Sequence, residues 1–458
     1  MTSFDKQPWP RGFYVQMESL LSDDHAAFFQ ALSLPSPVSI RINPLKPVSL
    51  AEQSRPVPWC KGGWYLRERP KFILDPLWHA GCYYVQEPSS MIIDLVIREL
   101  NLTKSPVTAL DLCAAPGGKT TIINSALHPE SFILANEVNK KRFSILKNNM
   151  TRWGYTNVFM SNEDPRIFSS LPPQFDLILV DAPCSGEGLF RKDPQSSMQW
   201  SQANIRVCSR RQSRILEDVL PALNPSGTLI YTTCTFNHEE NIKVAQNLVD
   251  EVGLRSIEIP LIESHGFLPI KSQGTIGYQA YPHLLRGEGL FLAVFQKNES
   301  PKRDSLKNLR KTRQTNVPDY VNASLSYEIV PNLHASKTND IFYLAVEHDA
   351  TYHRLNERMA VVPVKLGQLK NGFVPSHGLA MRAHLFSGST IAINYDEALQ
   401  YLYKQLVEEL NDQMGWHLVT YKGYGLGWIK GVGRRYNNYY PNSLRIRRDI
   451  EKLREASD

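Results

Sequence analysis

The sequence predicts an α/β fold built on a parallel, doubly wound sheet. Three observations lead there. From Val107 onward, strand and helix patterns alternate. The strand cores Ile133-Leu134-Ala135, Leu177-Ile178-Leu179-Val180 and Leu229-Ile230-Tyr231 are unbroken apolar runs, as expected where helices cover both sheet faces. Each strand ends on polar, small or reactive residues, and ligands of such sheets lie at the carboxyl ends of the strands.

Taken in order, residues 1–90 read as a small α+β region that contacts RNA. Residues 39–45, S-I-R-I-N-P-L, alternate like a half-buried strand stopped by Pro44. Arg41 in this run is expected on the solvated side or against nucleic acid. Residues 83–91 lead into an apolar helix over 91–100, with Ser89 as its N-cap. The central domain then spans 91–298. Its expected elements are strand 107–113, a helix from 119, strand 132–137, helix 139–153, strands 157–161 and 176–181, helix 202–223, strand 227–233, helix 238–251 and a closing strand 289–295.

Residues 299–326 carry Lys302, Arg303, Lys307, Arg310, Lys311 and Arg313 among few large apolar side chains, and read as a basic linker. Residues 327–458 show strand-like runs at 341–346 and 425–429 and an amphipathic helix around 397–410, which suggests one or two small mixed domains. Between 421 and 448 there are seven Lys or Arg and no Asp or Glu, interleaved with Tyr424, Trp428, Tyr436, Tyr439 and Tyr440. Cations attract phosphates and aromatic rings stack on unpaired bases, so this stretch reads as an RNA-binding surface, with a solvated basic rim as the alternative. Removing everything beyond about residue 326 is therefore expected to weaken RNA binding and leave cofactor binding intact.

Charge and cysteine usage narrow the class. The 458 residues carry a net charge of +6, concentrated toward the C-terminus, which points to a polyanionic partner. Cys60, Cys82, Cys113, Cys184, Cys208 and Cys234 form no C-x-x-C pair, which argues against a disulfide framework and against a metal site. No apolar run reaches the roughly 18 residues of a membrane span, and M-T-S-F-D-K-Q-P-W-P lacks a signal-peptide core. The expectation is a cytoplasmic protein with reduced thiols and no membrane partner.

The chemistry begins at residues 111–120, D-L-C-A-A-P-G-G-K-T. Here an apolar strand stops on small residues that let a ligand approach the backbone beside a helix N-terminus. A Walker A loop would need glycine where Cys113 stands, so a phosphate-binding loop fails on spacing, and a cofactor with an adenosine and a carboxylate fits better. Glu137, about 20 residues on, ends the second strand where an acid reaches ribose hydroxyls. Asp164 in N-E-D-P-R either lies near the adenine or the cofactor amine, or caps the next turn. Two cysteines follow buried strands at one sheet edge: Cys184 in D-A-P-C-S-G-E-G and Cys234 in T-T-C-T. A thiolate that adds to carbon 6 of a pyrimidine turns carbon 5 into a nucleophile, and Asp181 is placed to hold the N3 and N4 side of the ring. Spacing alone does not rank the two cysteines.

The set D-L-C-A-A-P-G-G-K-T, N-E-V-N-K-K-R, D-P-R, D-A-P-C-S-G-E-G and T-C-T-F-N-H-E-E-N resembles the NOL1/NOP2/Sun family of RNA cytosine-5 methyltransferases over about residues 35–298. The tail at 425–441, G-L-G-W-I-K-G-V-G-R-R-Y-N-N-Y-Y-P, resembles the PUA-related C-terminal region of bacterial members. What the resemblance implies is a Rossmann-like class I methyltransferase domain, a small N-terminal α+β domain and a C-terminal PUA-like RNA-binding region. It implies an S-adenosylmethionine site lined by Cys113, Ala114, Ala115, Pro116, Gly117, Gly118, Lys119, Glu137, Arg142, Asp164 and Asp181. By the same resemblance Cys234 is the nucleophile, Cys184 assists product release, and Asp181 and Lys119 complete the catalytic set. The implied partner is ribosomal RNA, within the small subunit or an assembly intermediate, met by a monomer. Two departures stand out: Pro165 replaces the family's usual glycine, and Glu137 stands where many members carry aspartate. A transfer-RNA methyltransferase and a catalytically silent assembly factor are the alternatives, and the intact Cys184, Cys234 and Asp181 set speaks against the silent one.

Overall fold

The computed structural model describes residues 9–49, 54–298, 317–318, 321, 325–326, 332–336, 338–411, 414–447 and 450. Most of the expected basic linker over 299–326, with all six of its named cations, lies outside the described residues. Among the described residues no helix is long and apolar enough to cross a membrane.

The N-terminal part opens with helices Arg11–Leu21 and His25–Ser33. A four-stranded antiparallel sheet follows, with β1 Ser39–Ile42, β2 Arg55–Pro56, β3 Gly63–Tyr65 and β4 Tyr83–Val85 in the order β2-β3-β1-β4. Arg41 corrects both expectations placed on it. It is buried, donates to Gln86 Oε1 at 3.2 Å and to Ser125 Oγ at 3.1 Å, bonds Thr121, and lies 4.8 Å over the Trp153 ring. Its charge fastens the N-terminal sheet to the central domain, so it meets neither water nor RNA. The apolar helix runs Ile92–Glu99 behind a turn at Ser89–Met91, and Ser89 bonds the Glu87 carboxylate and caps nothing.

The central sheet contains β5 Thr108–Asp111, β6 Phe132–Asn136, β7 Val158–Ser161, β8 Phe175–Asp181, β9 Leu223–Thr233, β10 Arg255–Ser256, β11 Leu268–Ser272, β12 Thr275–Ala280 and β13 Leu290–Gln296. Its order is β11-β12-β13-β9-β8-β5-β6-β7, with β10 against β13. Neighbours from β9 through β7 pair in parallel, as expected. The sheet as a whole is mixed, because β13 inserts antiparallel between β9 and the hairpin of β11 and β12. That hairpin escapes sequence reading: L-P-I-K-S is mostly exposed and T-I-G-Y-Q-A carries a glycine and polar residues, so neither shows an apolar run. Successive side chains feed two separate cores. Ala109, Ile133, Ala135, Leu177, Leu179 and Ile230 face one, and Leu110, Phe132, Leu134, Ile178, Val180 and Tyr231 face the other. Chain order reverses between β5 and β8, which opens the ligand crevice at their carboxyl ends.

Beyond the linker, β14 Leu333–Ala335, β15 Asp340–Tyr343, β16 Lys365–Lys370 and β17 Gly372–Pro375 form one sheet. A second comprises β18 Thr390–Ala392, β19 Met414–Tyr421, β20 Tyr424–Val432 and β21 Tyr436–Asn438. The helix expected around 397–410 is shorter, Tyr395–Tyr403. Asn394 and Glu397 form its capping box and Lys404 stops it in the left-handed region at φ 66°.

The expected independence of the part beyond residue 326 does not survive the packing. Phe342, Leu344, Tyr352, Leu355, Met359 and Val361 belong to the same core as Leu110, Leu134 and Phe159. Met160 on the edge strand β7 exchanges backbone hydrogen bonds with Val362, at 2.9 and 2.7 Å. The C-terminal sheet in turn shares a core with the N-terminal one, where Ile40, Leu74 and Tyr83 meet Leu399, Tyr401 and Leu426.

Candidate active site

At the end of β5 the chain turns through Leu112 to Gly117 into the helix Gly118–Ala126, whose first turn carries Lys119. Gly117 holds φ 108°, and a Cβ there would lie 2.5 Å from Met150 Cε, so this corner needs glycine. Ala114 N–H donates to Asn136 O at 2.8 Å. The Pro116 carbonyl accepts from Asn149 Nδ2 at 2.7 Å and from Tyr84 O–H at 3.2 Å. Arg142 ties this loop to the next strand end: Nη2 donates to Ala115 O at 2.5 Å and Nη1 lies 3.4 Å from Glu137 Oε2.

Two acids of the crevice, Glu137 and Asp111, are buried. Glu137 Oε1 accepts from Asn139 N–H at 2.8 Å, while its buried Oε2 accepts no hydrogen bond and has only the Arg142 ion pair. Asp111, absent from the expected site, is fully buried. Thr120 O–H donates to Oδ2 at 2.6 Å, and Oδ1 has no partner. Burial, with help from Asp181 and Glu137, pushes the Asp111 carboxyl up to about 7. Burial likewise drives the Cys113 thiol well above its ordinary range, so it lines the crevice as a neutral group. Asp164 caps the turn Pro165–Ser170. Oδ1 accepts from Arg166 N–H and Nε at 3.0 Å, Oδ2 accepts from Nη2 at 3.1 Å, and these bonds hold its pKa down. Pro165 occupies the first position of the turn Pro165–Ser170, where its fixed φ and missing N–H are tolerated.

Lys119 and Asp181 meet across the reversal point, with Nζ 2.8 Å from Oδ2. Burial would lower the lysine, but the Asp181 charge and hydrogen bond outweigh it, helped by Cys234 and Glu87, and the pKa stands above its ordinary value. Thr232 O–H donates to the other Asp181 oxygen at 2.9 Å. The two candidate cysteines converge, with Cys184 Sγ 3.2 Å from Cys234 Sγ. That contact is possible because Gly188 lies flat against the Cys234 backbone. Its N–H donates to Cys234 O at 2.8 Å, and a Cβ on it would sit 2.8 Å from the same oxygen. The hydrogen bond with Cys234, then burial, hold the Cys184 thiol well above its usual range.

Other residues missing from the expected site fix the loops that carry these sulfurs. Glu240 Oε2 accepts from Ser185 N–H and Gln212 Nε2, both at 2.9 Å, and Oε1 accepts from Asn237 Nδ2 at 2.8 Å. Ser185 Oγ lies 2.9 Å from Thr235 Oγ1. The helix expected from 238 begins only at Ile242, because Asn237 to Asn241 are spent on this network. Glu187, fully buried, stands at its centre.

The expected aromatic platform near the C-terminus is partly core. Trp428 and Tyr440 are buried, and the Tyr440 hydroxyl lies 2.9 Å from His79 Nδ1. The Tyr424 hydroxyl bonds Pro47 O, and the Tyr436 hydroxyl oxygen accepts from Val407 N–H at 2.9 Å. What faces solvent is Tyr439, 44% exposed and 4.5 Å from Trp416 between ring centroids, with Lys430 5.5 Å over Trp416 and with Arg434 and Arg435 exposed beyond the end of β20.

The crevice fits S-adenosylmethionine on its own chemistry. The hydrogen-bond-free Glu137 oxygen suits a ribose hydroxyl, and the partnerless Asp111 oxygen suits an ammonium. Removing the Glu137 acceptor should therefore weaken the cofactor alone. Glu137→Ala is expected to raise the Michaelis constant for S-adenosylmethionine roughly ten- to hundredfold at unchanged RNA affinity, the worth of one hydrogen bond to a charged group. An unchanged constant in steady-state kinetics would place the ribose contact elsewhere.

Comparison with known proteins adds three family matches and a set of relatives. A family described as 16S rRNA methyltransferase RsmB/F matches residues 99–296, the N-terminal domain of 16S rRNA methyltransferase RsmF matches 9–88, and a methyltransferase RsmF PUA domain matches 389–446. Ribosomal RNA small subunit methyltransferase F from Enterobacter sp. (strain 638) is 31% identical over 95% of this chain and 96% of its own length. The protein of that name from Aliivibrio fischeri (strain MJ11) is 30% identical over 95% and 97%. Among solved structures, a methyltransferase homolog protein from Pyrococcus horikoshii is 27% identical, with a TM-score of 0.54 over 63% of this chain and 95% of its own. NSun6 from the same organism shares the fold at 20% identity, with a TM-score of 0.53 over 64% and 99%.

Proposed function

Because the chain belongs to the family of ribosomal RNA small subunit methyltransferase F, we propose that it methylates carbon 5 of one cytosine in small-subunit ribosomal RNA through a transient Cys234–carbon 6 bond. The observation that carries this reading is the pair of sulfurs 3.2 Å apart beside the Lys119–Asp181 ion pair, at the point where the sheet order reverses.

S-adenosylmethionine, when bound, supplies an electrophilic methyl group. The chain's own residues do the rest. Asp181, oriented by Lys119 and Thr232, holds the N3 and N4 side of the cytosine. The Cys234 sulfur adds to carbon 6, which places electron density on carbon 5 and makes it the nucleophile. After alkylation the carbon 5 proton must leave as the sulfur–carbon bond breaks. Cys184 is the group beside that bond: its thiol, 3.2 Å from the Cys234 sulfur, gives its proton to that sulfur as the bond to carbon 6 breaks, and the Cys184 thiolate so formed takes the carbon 5 proton, which restores the ring double bond. Glu137, Arg142, Asp111 and the backbone from Cys113 to Lys119 hold the cofactor, with Asp164 at the rim. The enzyme works in the cytoplasm.

RNA is held by the C-terminal sheet through phosphates and by Trp416 and Tyr439 through stacking. Replacing Arg434 and Arg435 with alanine should lower affinity alike for unrelated RNA sequences and flatten the salt dependence by about two phosphate contacts. A sequence-selective loss in filter binding would reassign them to base reading.

Wild-type protein is incubated with S-adenosylmethionine and either naked small-subunit ribosomal RNA or the assembled subunit, followed by bisulfite sequencing. A single new 5-methylcytosine is the expected result, and transfer RNA serves as the competing substrate. No new 5-methylcytosine in any RNA would defeat the proposal, while labelling of transfer RNA alone would shift the substrate class.

A further inference from the structure

We propose that Glu187 is the positioning residue that presents Cys234, and that Gln16 makes the N-terminal helix part of the same device. Glu187 lies three residues past Cys184, in the turn Glu187–Leu189, and is fully buried. Its Oε2 accepts from Thr235 O–H at 2.6 Å, Phe236 N–H at 2.8 Å and Asn237 N–H at 3.1 Å, the three residues that follow Cys234. Its Oε1 accepts from Trp200 Nε1 at 2.8 Å, Gln16 Nε2 at 2.9 Å and Asn237 Nδ2 at 3.3 Å.

A buried carboxylate surrounded this fully by donors fixes their geometry, since several donors would lose a charged acceptor at once if the loop moved. One side of the carboxylate belongs to the Cys184 loop and the other grips the Cys234 loop, so the separation of the two sulfurs is set through it. The Gly188 approach to Cys234 O is the second clasp on the same pair of loops. Because its oxygens are occupied by donors, Glu187 is not a proton carrier for the reaction. The N-terminal hairpin closes the arrangement from outside: Phe13, Met17, Phe28 and Phe29 pack with Phe190 beyond Cys184 and with Phe236 beyond Cys234. Phe28 meets Phe236 edge to face at 5.1 Å, and Phe13 meets Phe190 at 5.0 Å. An element 171 residues away in sequence thus touches both loops.

The inference rests on the proposed reaction for its turnover readout only. The test uses the full chain carrying Glu187→Gln, which keeps the size and sets an amide N–H2 against donors. Three quantities are measured: S-adenosylmethionine binding by equilibrium dialysis, the rate of Cys234 alkylation by iodoacetamide followed by mass spectrometry, and the kcat and KM for ribosomal RNA methylation. A misplaced nucleophile on an intact cofactor site should lower kcat about 100-fold, with both KM values within about threefold. Cys234 should be alkylated at least about fivefold faster as its loop opens. A folded variant with wild-type kcat and alkylation rate would overturn the assignment. If Glu187→Gln shows no cooperative melting, Gln16→Leu and Trp200→Phe decide, since each removes one donor. Each should lose roughly tenfold in kcat at unchanged cofactor affinity, and wild-type turnover in both would overturn it. Should wild-type protein methylate no cytosine, the reaction falls, and the alkylation rates still decide whether Glu187 positions Cys234.

Discussion

Cys234→Ala is expected to lose methyl transfer by about 10,000-fold or more, because no other group supplies the attack on carbon 6. The fold and the cofactor crevice should remain, since alanine leaves the Glu187 and Glu240 networks intact and the hydrogen bond of Sγ is to Cys184. Cys184→Ala should behave differently. Attack and alkylation proceed, the assisting thiol is missing, and the enzyme stalls as a covalent protein–RNA species. On a denaturing gel with labelled RNA and S-adenosylmethionine, the Cys184 variant should give a slow band and the Cys234 variant none. The reverse pattern would exchange the two roles. Turnover retained in the Cys234 variant would end the covalent mechanism altogether.

Truncation after residue 326 is the second large effect, and its expected outcome is the opposite of the one the linear sequence suggests. The removed part includes Phe342, Leu344, Tyr352, Leu355, Met359 and Val361, which complete the core on the Leu110 side of the sheet. It also carries Val362, which satisfies the backbone of Met160 on the edge strand, and Ala360, whose N–H donates to Glu163 Oε1 at 3.1 Å beside the cofactor crevice. Arg382, fully buried, donates to Gly378 O at 3.0 Å and bonds Tyr155 O after the helix Lys140–Trp153. Uncovering several large side chains costs about 1.5 to 3 kcal/mol each, which on paper matches the whole stability of a domain. The truncated chain should therefore lose cooperative unfolding near the wild-type temperature and, with it, cofactor binding. A thermal transition within a few degrees of wild type, with S-adenosylmethionine still bound, would restore the view of two independent parts.

The contrast shows what the sequence carries and what it does not. The parallel half of the sheet was legible because both faces are buried and each strand is an unbroken apolar run. The crevice was legible because small residues and glycines mark close backbone approach at Cys113 to Lys119. Cys184 and Cys234 could be placed on one edge from strand ends alone, although only family resemblance ranked them. Arg41 misleads because an isolated cation in an alternating strand has the same pattern whether it meets water or a Thr121, Ser125 and Gln86 cage supplied from elsewhere in the chain. Trp428 and Tyr440 mislead for the converse reason: a basic neighbourhood says nothing about which side of a strand an aromatic ring occupies. Glu187 stands inside a quoted motif, and its signal is a lone charge among small residues. Gln16 offers none, since its partner is set entirely by tertiary packing.

The core shared by the first and last sheets imposes an order in time. Ile40, Leu74 and Tyr83 find Leu399, Tyr401 and Leu426 only after some 300 intervening residues have been made, which at cellular synthesis rates of about 5 to 20 residues per second takes roughly 15 to 60 seconds. Until then the growing chain holds an apolar surface with no cover, whereas residues 342–362, which complete the central core, arrive earlier. The shared core closes late in synthesis, when residues 399–426 reach a sheet made some 300 residues earlier.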